Sequence, residues 1–517
     1  MPSDSEIRRA DSPSRWKRVL PLGLVALSLA VTAPGFGNQF VQDDLPLILK
    51  NETIHSLAQP EKFFTTPYWH DPFPPALYRP LATTALAVQW KAGGGNPAVY
   101  RWVSTALLAG AAIALFELAA LLLPLAAAAA VATLFVVHPV HVEANALGVN
   151  QGELAVALLL CWATAVYIRT RRKGDLPPAT AAGVILLFAA AGLFKEHALV
   201  LPGMLLAAEL FLIADPRPFR VIFRRVRPFY LLLVVVALAI LAARSAVLGG
   251  DLVGTFTADG LTGAGPMRRA VTMVGVVPEW TRLLLWPAHL QADYGPDELL
   301  PASGGRAMQW AGAVLLAGAV ILLLTSRRKL PVLAFGICWI AIAIFPVSNV
   351  LVPTGILLAE RTLFLATAGA VLGIGALVSL ARTTAARWIV LSLVGMLVVL
   401  GTLRSRSRER IWHDQGTLLR ATVLDAPRSY AAHLALARFL EDSGSTGDAA
   451  RAYRNAVAIR PSIVDRDRAL ADQYRRAGFC RPAVRLYRRA LIIAPDDSAT
   501  RASLLACGDS GSSTPVP

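Results

Sequence analysis

The chain alternates between long runs of apolar residues and short polar loops, several of them rich in arginine. Many runs approach or exceed the roughly 18 residues that indicate a membrane-spanning helix. Unpaired backbone groups are costly in lipid, so such runs predict helices and the fold class is predicted to be all-α. The polytopic bundle has about eleven predicted spans, near residues 19–33, 102–123, 126–138, 149–168, 179–194, 198–214, 229–248, 307–325, 331–347, 361–380 and 388–403.

The basic residues predict which side of the membrane each loop faces. Residues 1–18 are basic and precede an uncleaved signal anchor, so we expect this tail in the cytoplasm. Segment 271–290 carries two prolines and two charges, which favours an interfacial or re-entrant segment over a crossing. The basic short loops then fall on the cytoplasmic side, and loop 35–101 lies outside. The transmembrane domain spans 19–404 and delivers the rest of the chain to the outer side.

Residues 405–507 have the composition of a water-soluble helical domain and contain an internal repeat. Two segments match at an offset of 34 residues, and a partial unit with Leu419 at the aromatic position precedes them. The matched pairs are Gly444 and Gly478, Ala449 and Ala483, Tyr453 and Tyr487, Ala456 and Ala490, and Pro461 and Pro495. Small, aromatic, small and proline at this period resemble the tetratricopeptide repeat. We expect a short solenoid of helical hairpins, followed by a disordered tail at 508–517.

Composition and charge support a membrane protein. Hydrophobic residues make up 55% of the 517 residues and charged residues only 16%, whereas soluble domains carry about 25% charged residues. The net charge of +16 follows from the cytoplasmic loops, so no nucleic-acid partner is predicted. None of the four cysteines has metal-ligand spacing, and Cys480 and Cys507 can pair only in an oxidising compartment.

The chemically versatile residues gather on the predicted outer side. Ionisable side chains near a bilayer are costly, so six such clusters on one face indicate a functional site. The candidate residues are Asp43, Asp44, Arg79, His138, His141, Glu143, Glu153, Lys195, Glu196, His197, Asp293, Tyr294, Asn349, Glu360 and Arg361.

In this order, the motifs resemble those of the transmembrane and tetratricopeptide-repeat O-mannosyltransferases, a branch of the multi-span, lipid-phosphosugar-dependent (GT-C type) glycosyltransferases. The resemblance covers about residues 36–500. It rests on the segments Phe40–Asp44, Tyr78–Leu81, His138–Ala144, Lys195–Ala198, Asp293–Tyr294, Phe345–Asn349 and Ala359–Arg361. One turn departs from the family, because Asn150–Glu153 stands where its members usually have a Gly-Arg-Ala-Asp-like sequence.

The resemblance implies an inverting transfer of a sugar, mannose in the family's name, from a polyprenyl-phosphate donor to Ser/Thr hydroxyls of exported protein. An acid in the first outer loop is the implied general base, either Asp43 or Asp44. Adjacent carboxylates disfavour double ionisation, which raises one pKa toward the range useful for a base. Arg361 is the first candidate for the donor phosphate, because a guanidinium binds oxyanions through two hydrogen bonds.

The other candidates receive supporting roles. Lys195, Arg79 and His141 are weaker candidates for the donor phosphate. Orienting or substrate-contacting roles fall to Glu143, His138, Glu196, His197, Glu153, Asp293, Tyr294, Asn349 and Glu360. A divalent cation, Mg²⁺ or Mn²⁺, is compatible with the paired acids, but no residue in the sequence demands one, and no metal ligand is assigned.

The expected partners are the lipid bilayer, the polyprenyl-phosphate sugar and an acceptor polypeptide bound by the repeats. The Ala/Arg-rich composition and short repeat array favour a bacterial inner membrane, with the repeats on the non-cytoplasmic side. Two other functions stay open. A flippase or transporter of lipid-linked glycans would place ionisable residues at mid-span, and a non-catalytic membrane anchor for a repeat scaffold would leave the outer acids unexplained.

Overall fold

A computed structural model describes residues 15–69, 76–213, 217, 219–250, 257–258, 260–299, 305–460, 462–476, 480–494 and 496–507. These residues form helices joined by turns, and the extended pairing found among them is an isolated bridge between Trp69 and Ala76. The all-α prediction is therefore confirmed. Residues 1–14 of the predicted basic tail, the tail at 508–517, and Gly478, Pro461 and Pro495 of the repeat pattern lie outside the described residues.

The α-helices follow one another in the order α1 (Arg15–Thr32), α2 (Lys62–Thr65), α3 (Pro80–Gly93), α4 (Pro97–Leu122), α5 (Leu125–Val136), α6 (Val142–Ala146), α7 (Gln151–Arg171), α8 (Pro178–Phe194), α9 (Leu201–Phe211), α10 (Phe219–Val247), α11 (Pro266–Val274), α12 (Val277–Leu285), α13 (Pro296–Leu299), α14 (Gly305–Ser326), α15 (Pro331–Ile344), α16 (Phe364–Val378), α17 (Thr384–Glu409), α18 (Gln415–Asp425), α19 (Tyr430–Asp442), α20 (Thr446–Ile459), α21 (Ser462–Arg476), α22 (Cys480–Ile493) and α23 (Ser498–Ala506).

The chain divides into two compact units. The first comprises Met1–Leu290 and Ser303–Gln415, and the second comprises Gln291–Ala302 and Gly416–Pro517. The predicted boundary at 404 falls short of this division, because the last turn of α17 is buried in the first unit, where Arg408 is 0% exposed and Glu409 is 1% exposed. Segment 291–302, predicted as part of the transmembrane domain, groups with the repeats.

Seven helices of the described chain are long and apolar enough to cross a membrane. The count is eight if Leu125–Val136 and Pro139–Ala146, which meet at a bend of 45°, form one broken span. This is fewer than the eleven predicted, because α8, α9 and α15 are shorter than a full span although they are apolar. Segment 271–290 holds parts of α11 and the whole of α12, helices of nine residues each that are too short to cross.

The first unit has a tightly packed interior and an apolar exterior. Helices α15 and α16 cross at Gly336 and Gly369, where a Cβ on either glycine would lie 2.6 Å from the other's carbonyl oxygen. Small residues of this kind allow membrane helices to approach closely. In contrast, the apolar windows of α14 and α17 are only 6% and 0% buried, respectively. Such uncovered apolar helix surface is typical of a lipid-facing boundary.

The second unit contains two helical hairpins in the predicted register. Helices α19 and α20 form one, and α21 and α22 form the next. The matched alanines and tyrosines are all buried: Ala449, Tyr453, Ala456, Ala483, Tyr487 and Ala490. Gly444 ends the first hairpin's turn with φ of +78°, a conformation that favours glycine. Each buried tyrosine donates a 2.5 Å hydrogen bond to an acid on the preceding helix, so its hydroxyl is satisfied inside the hairpin.

A disulfide joins Cys480 and Cys507, whose Cα atoms lie 5.3 Å apart. It links the start of α22 to the end of α23, so it closes the last hairpin onto the final helix. The sequence left this pairing open. The other two cysteines, Cys161 and Cys338, are free thiols within apolar helices.

Candidate active site

The first loop of the first unit places Asp43 and Asp44 in a strained turn. Gln42 has a φ of +47°, which is uncommon for a residue with a side chain. Its backbone N–H donates to the Gln415 side-chain oxygen at 2.8 Å, so the far end of the unit holds the turn. Strain of this kind concentrates at functional sites.

Asp44 is fully buried, and both of its oxygens are already used. Oδ2 accepts from the Gly148 N–H and Oδ1 from the Val149 N–H, both at 3.0 Å. Arg101, on α4, reaches Oδ2 at 3.4 Å and also donates to the Gln39 carbonyl at 2.9 Å. Asp44 therefore anchors the first loop to the turn before α7, and it has no approach from solvent.

Asp43 has the opposite character, because it is only half-buried. Its carboxylate accepts no hydrogen bond from any of the described residues. Burial raises the pKa of Asp43; Arg361, Arg79 and Lys195 oppose the rise, while Glu143 reinforces it. Asp43 therefore faces a group of cations without being paired to any one of them.

Three ion pairs make up the cationic group. Arg361 contacts Glu143 through its guanidinium, and its backbone N–H donates to the same carboxylate at 2.8 Å. Arg79 holds Glu196 through two parallel hydrogen bonds of 3.0 and 2.6 Å.

Lys195 lies 2.6 Å from Glu153, which occupies the turn that departs from the family pattern. The three cations come from three separate turns, and each is oriented by its own glutamate.

His197 completes the Lys195 and Glu153 pair. Its Nδ1 lies 3.1 Å from Glu153 Oε2, and its Nε2 lies 2.7 Å from the Ala343 carbonyl. A carbonyl oxygen only accepts, so Nε2 donates to Ala343. Glu153 therefore contacts Lys195 through one carboxylate oxygen and His197 through the other. A longer acid than the family's aspartate can reach both partners from α7.

The two candidate histidines make contacts within the helix packing, and their proposed roles stay predictions. His141, proposed as a phosphate ligand, is 2% exposed, packs against Phe135 and Phe364, and has Nε2 2.7 Å from the Thr367 hydroxyl. His138 contacts the Leu284 carbonyl at 3.2 Å. His141 is therefore enclosed at the bend between α5 and α6, whereas His138 is half-buried there.

Asn349 and Glu360 make other contacts inside the first unit. Asn349 is fully buried at φ of +58°, and it bonds Thr354 and Ile356 to shape its own loop. Glu360 is buried 3.9 Å from Arg408.

Asp293 and Tyr294 belong to the second unit. Asp293 accepts a hydrogen bond from Ser429 at the start of α19, and Tyr294 accepts one from the Gln291 N–H. Both contacts lie within that unit, and the substrate-contacting roles of Asp293 and Tyr294 stay predictions.

Several buried polar residues were missed by the sequence reasoning. Arg101 pairs with Asp44, and Glu409 accepts from Asn145 at 3.1 Å. Asn38 donates to the Glu409 carbonyl at 2.9 Å, which ties the first loop to the end of α17. One signal was available: Arg101 stands at the outer end of a predicted span, where the positive-inside bias disfavours a basic residue.

Carboxylates are ligands that Mg²⁺ and Mn²⁺ favour. Within the described chain, no three His, Cys, Asp or Glu side chains are grouped so as to hold a metal ion. Asp43 and Asp44, which suggested Mg²⁺ or Mn²⁺, differ in their surroundings: Asp44 is fully paired, whereas the Asp43 carboxylate accepts no hydrogen bond from the described residues. The hydrogen-bond donors around Asp44 are one guanidinium and two N–H groups. They stabilise a carboxylate and would repel a metal cation.

A bundle of apolar helices long enough to cross a membrane, with a charged cluster at the ends of several of them, defines a multi-pass membrane protein. No family model matches the chain. It is 23% identical over 452 residues to protein O-mannosyl-transferase F38B6.6 of Caenorhabditis elegans, covering 85% of this chain and 62% of that protein. It is also 23% identical over 508 residues to protein O-mannosyl-transferase TMTC3 of Mus musculus, covering 91% of this chain and 55% of that protein.

The resemblance predicted from the motifs is therefore confirmed: the chain is a relative of the protein O-mannosyl-transferases. It spans about three fifths of the length of the nematode protein. Among solved structures, ArnT from Cupriavidus metallidurans bound to undecaprenyl phosphate is 17% identical, with coverage of 94% of this chain and 76% of that one and a TM-score of 0.42.

Proposed function

We propose that the protein transfers a sugar from a polyprenyl-phosphate carrier to a hydroxyl group of a polypeptide, with Asp43 as the general base. The observation that carries this proposal is the position of Asp43, which is half-buried beside Arg361, Arg79 and Lys195 and paired with none of them. The relatives that share most of this chain are named protein O-mannosyl-transferases, which supports the same reaction.

Asp43 suits a base better than Asp44. A general base must reach the proton that it removes, and its pKa should lie near the working pH. Burial raises the pKa of Asp43, and its oxygens accept no hydrogen bond from the described residues. Asp44 uses its oxygens on two N–H groups and Arg101, so we assign it a positioning role.

The cations suit the departing phosphate. The charges of Arg79, Lys195 and Arg244 all interact electrostatically with Glu196. Together with Arg361 this makes four cations, against the three glutamates of the ion pairs when Asp43 is not counted. With Asp43 ionised the four cations and four carboxylates balance, so the cluster gains a net positive charge, which favours an anion, when Asp43 takes up the hydroxyl proton. Arg361, Arg79 and Lys195 are each held by a glutamate, so little reorganisation is needed when a phosphate arrives, and preorganised charges stabilise a transition state most strongly.

In the proposed reaction the acceptor hydroxyl oxygen bonds to the anomeric carbon from the face opposite the phosphate. The bond between that carbon and the phosphate oxygen breaks, and the electron pair leaves with the polyprenyl phosphate. Asp43 takes the hydroxyl proton. The geometry inverts the anomeric carbon, and the developing negative charge on the phosphate falls beside Arg361, Arg79 and Lys195.

The repeats are proposed to bind the acceptor polypeptide, since stacked hairpins form extended concave surfaces. The Cys480–Cys507 disulfide supports an oxidising compartment for this unit, because disulfides persist outside the cytosol. We therefore propose that the repeats and Asp43 face the non-cytoplasmic side of a membrane, which the basic loops favour as the bacterial inner membrane.

The test is a transfer assay with purified protein in lipid vesicles. The donor is polyprenyl-phosphate mannose, compared with the glucose carrier, and the acceptor is a peptide with serine and threonine. We expect sugar on the hydroxyl peptide and none on a matched alanine peptide. Movement of the carrier between leaflets without sugar transfer would instead support a flippase. If neither sugar transfer nor movement of the carrier is observed, the scaffold hypothesis is the one that stands.

A second expectation concerns Arg361. We expect Arg361→Gln to lower kcat/KM for the donor by about 10²-fold, because the charge that stabilises the departing phosphate is lost. It should also move the acid limb of the pH profile to higher pH, since Arg361 lowers the pKa of Asp43. Arg382→Gln removes the same charge from an exposed position outside the cluster and should change neither quantity. An equal effect of both substitutions would contradict the assignment.

A further inference from the structure

A cavity of about 410 Å³ lies in the first unit, at the end that is remote from Asp43. The end of α7, the start of α8 and the first part of α10 form its walls. Glu153 lies at the start of α7 and Arg171 at its end, so the cavity is about 27 Å from the proposed active site along that helix. Nothing in the proposed reaction uses this cavity.

The rim of the cavity is basic. Arg225 and Arg217 both pair with Asp175, and Arg171 pairs with Glu209 at 2.7 Å. The side chain of Arg225 is 52% exposed and that of Asp175 is 51% exposed, so solvent screens their contact and a stronger anion can compete for it. Three arginines face two acids, and further basic residues follow at the same end of the helices: Arg172, Lys173, Arg220, Arg224 and Arg227.

The inner wall of the cavity is apolar. Val226, Pro228, Phe229 and Leu232 line it, and Leu232 is exposed. Leu232 lies seven residues beyond Arg225, or about 10 Å deeper along α10. The stretch of α10 that is long and apolar enough to cross a membrane begins at Arg224, so Arg225 stands at its polar end and Leu232 within its apolar part.

We propose that this cavity binds an anionic glycerophospholipid, with its phosphate on Arg225 and an acyl chain along Val226 and Leu232. A free phosphate would satisfy the rim and leave the apolar wall uncovered. A zwitterionic lipid would bring a cation against the arginines, which lowers its affinity. Basic pockets between membrane helices at the cytoplasmic side are suited to anionic headgroups for the same electrostatic reason.

The test uses the full-length protein in detergent, with dioctanoyl phosphatidylglycerol as the probe. A ligand that binds only the folded state raises the thermal midpoint in a concentration-dependent way. We expect phosphatidylglycerol to raise it, and inorganic phosphate and dioctanoyl phosphatidylcholine to leave it unchanged. Equal shifts with inorganic phosphate would assign the rim to a free anion and overturn the lipid site, as would equal shifts with phosphatidylcholine.

Two substitutions separate the cavity from general charge. Arg225→Gln should weaken phosphatidylglycerol binding about 5- to 10-fold, a loss of roughly one charge-assisted contact. Arg224→Gln removes the same charge from the neighbouring exposed residue, which does not line the cavity, and should change binding less than 2-fold. Equal weakening by both would show a diffuse charge effect and overturn the site. Native mass spectrometry of the two variants gives an independent count of bound lipid.

Discussion

Asp43→Asn is expected to lower sugar transfer by about 10²- to 10⁴-fold, the contribution of a positioned general base. The carboxamide keeps the shape of the side chain and loses the ability to take a proton. Asp43 accepts no hydrogen bond from the described residues, so the fold should be unaffected and the protein should reach normal abundance in the membrane. Initial rates with the polyprenyl-phosphate donor, normalised to protein in the vesicles, measure the effect.

The pH profile gives a second reading of the same residue. A base acts only when deprotonated, and burial raises the pKa of Asp43 above the 3.8 of an unperturbed aspartate. The acid limb of kcat/KM should therefore lie above pH 3.8, and activity should fall as the pH drops through it. Asp44→Asn serves as the matched control, because its main effect should be to lower the abundance of folded protein in the membrane. If Asp43→Asn is fully active while Asp44→Asn is folded and inactive, the general-base role belongs to Asp44 and the positioning role to Asp43.

The sequence predicted the helical class, the repeat register and the order of the motifs, because each rests on local patterns. Apolar run length indicates a span, and an offset of 34 residues with alanine and tyrosine at fixed places indicates hairpins. Fewer helices of the described chain reach the length of a full span than the eleven predicted, for a local reason as well. Runs such as that of α9 are apolar enough for lipid but form helices of only eleven residues.

The sequence could not decide whether Asp43 or Asp44 is the better candidate for the general base. The two are neighbours with the same chemistry, and the difference lies in N–H groups at Gly148 and Val149, about one hundred residues away in the chain. The same holds for His141, whose motif suggested a ligand. Its neighbours Phe364 and Thr367 come from α16, and only the packing of that helix shows that the ring is enclosed.

The pairing of glutamates with cations was partly foreseeable. Glu143 and Glu196 were predicted to orient cations, and the structure places each against an arginine. The partner of Lys195 was not predicted, because it depends on the departure at Glu153. That longer acid, held by Lys195 and His197, keeps a carboxylate in the cluster although the family's arginine is absent from this turn.

Arg101→Met is expected to lower the free energy of unfolding by about 3–5 kcal/mol, the usual cost of removing one partner from a buried ion pair. The side chains of Arg101 and Asp44 are 2% and 0% exposed, so neither is solvated when the other is lost. Asp44 keeps its two N–H donors, but its charge loses the only cation that contacts it among the described residues. Reversible unfolding in mixed detergent micelles measures the change.

The matched control is Arg169→Met, which removes an arginine from the exposed pair with Glu117, where the side chains are 49% and 47% exposed. Exposed pairs contribute about 0–1 kcal/mol, so its effect should be several-fold smaller. In the double variant Arg101→Met with Asp44→Asn, no buried charge is left unpaired. Its loss of stability should therefore be less than the sum of the two single losses, the sign of direct coupling. Additive losses, or an Arg101→Met effect no larger than that of Arg169→Met, would show that the pair does not hold the loop that carries Asp43.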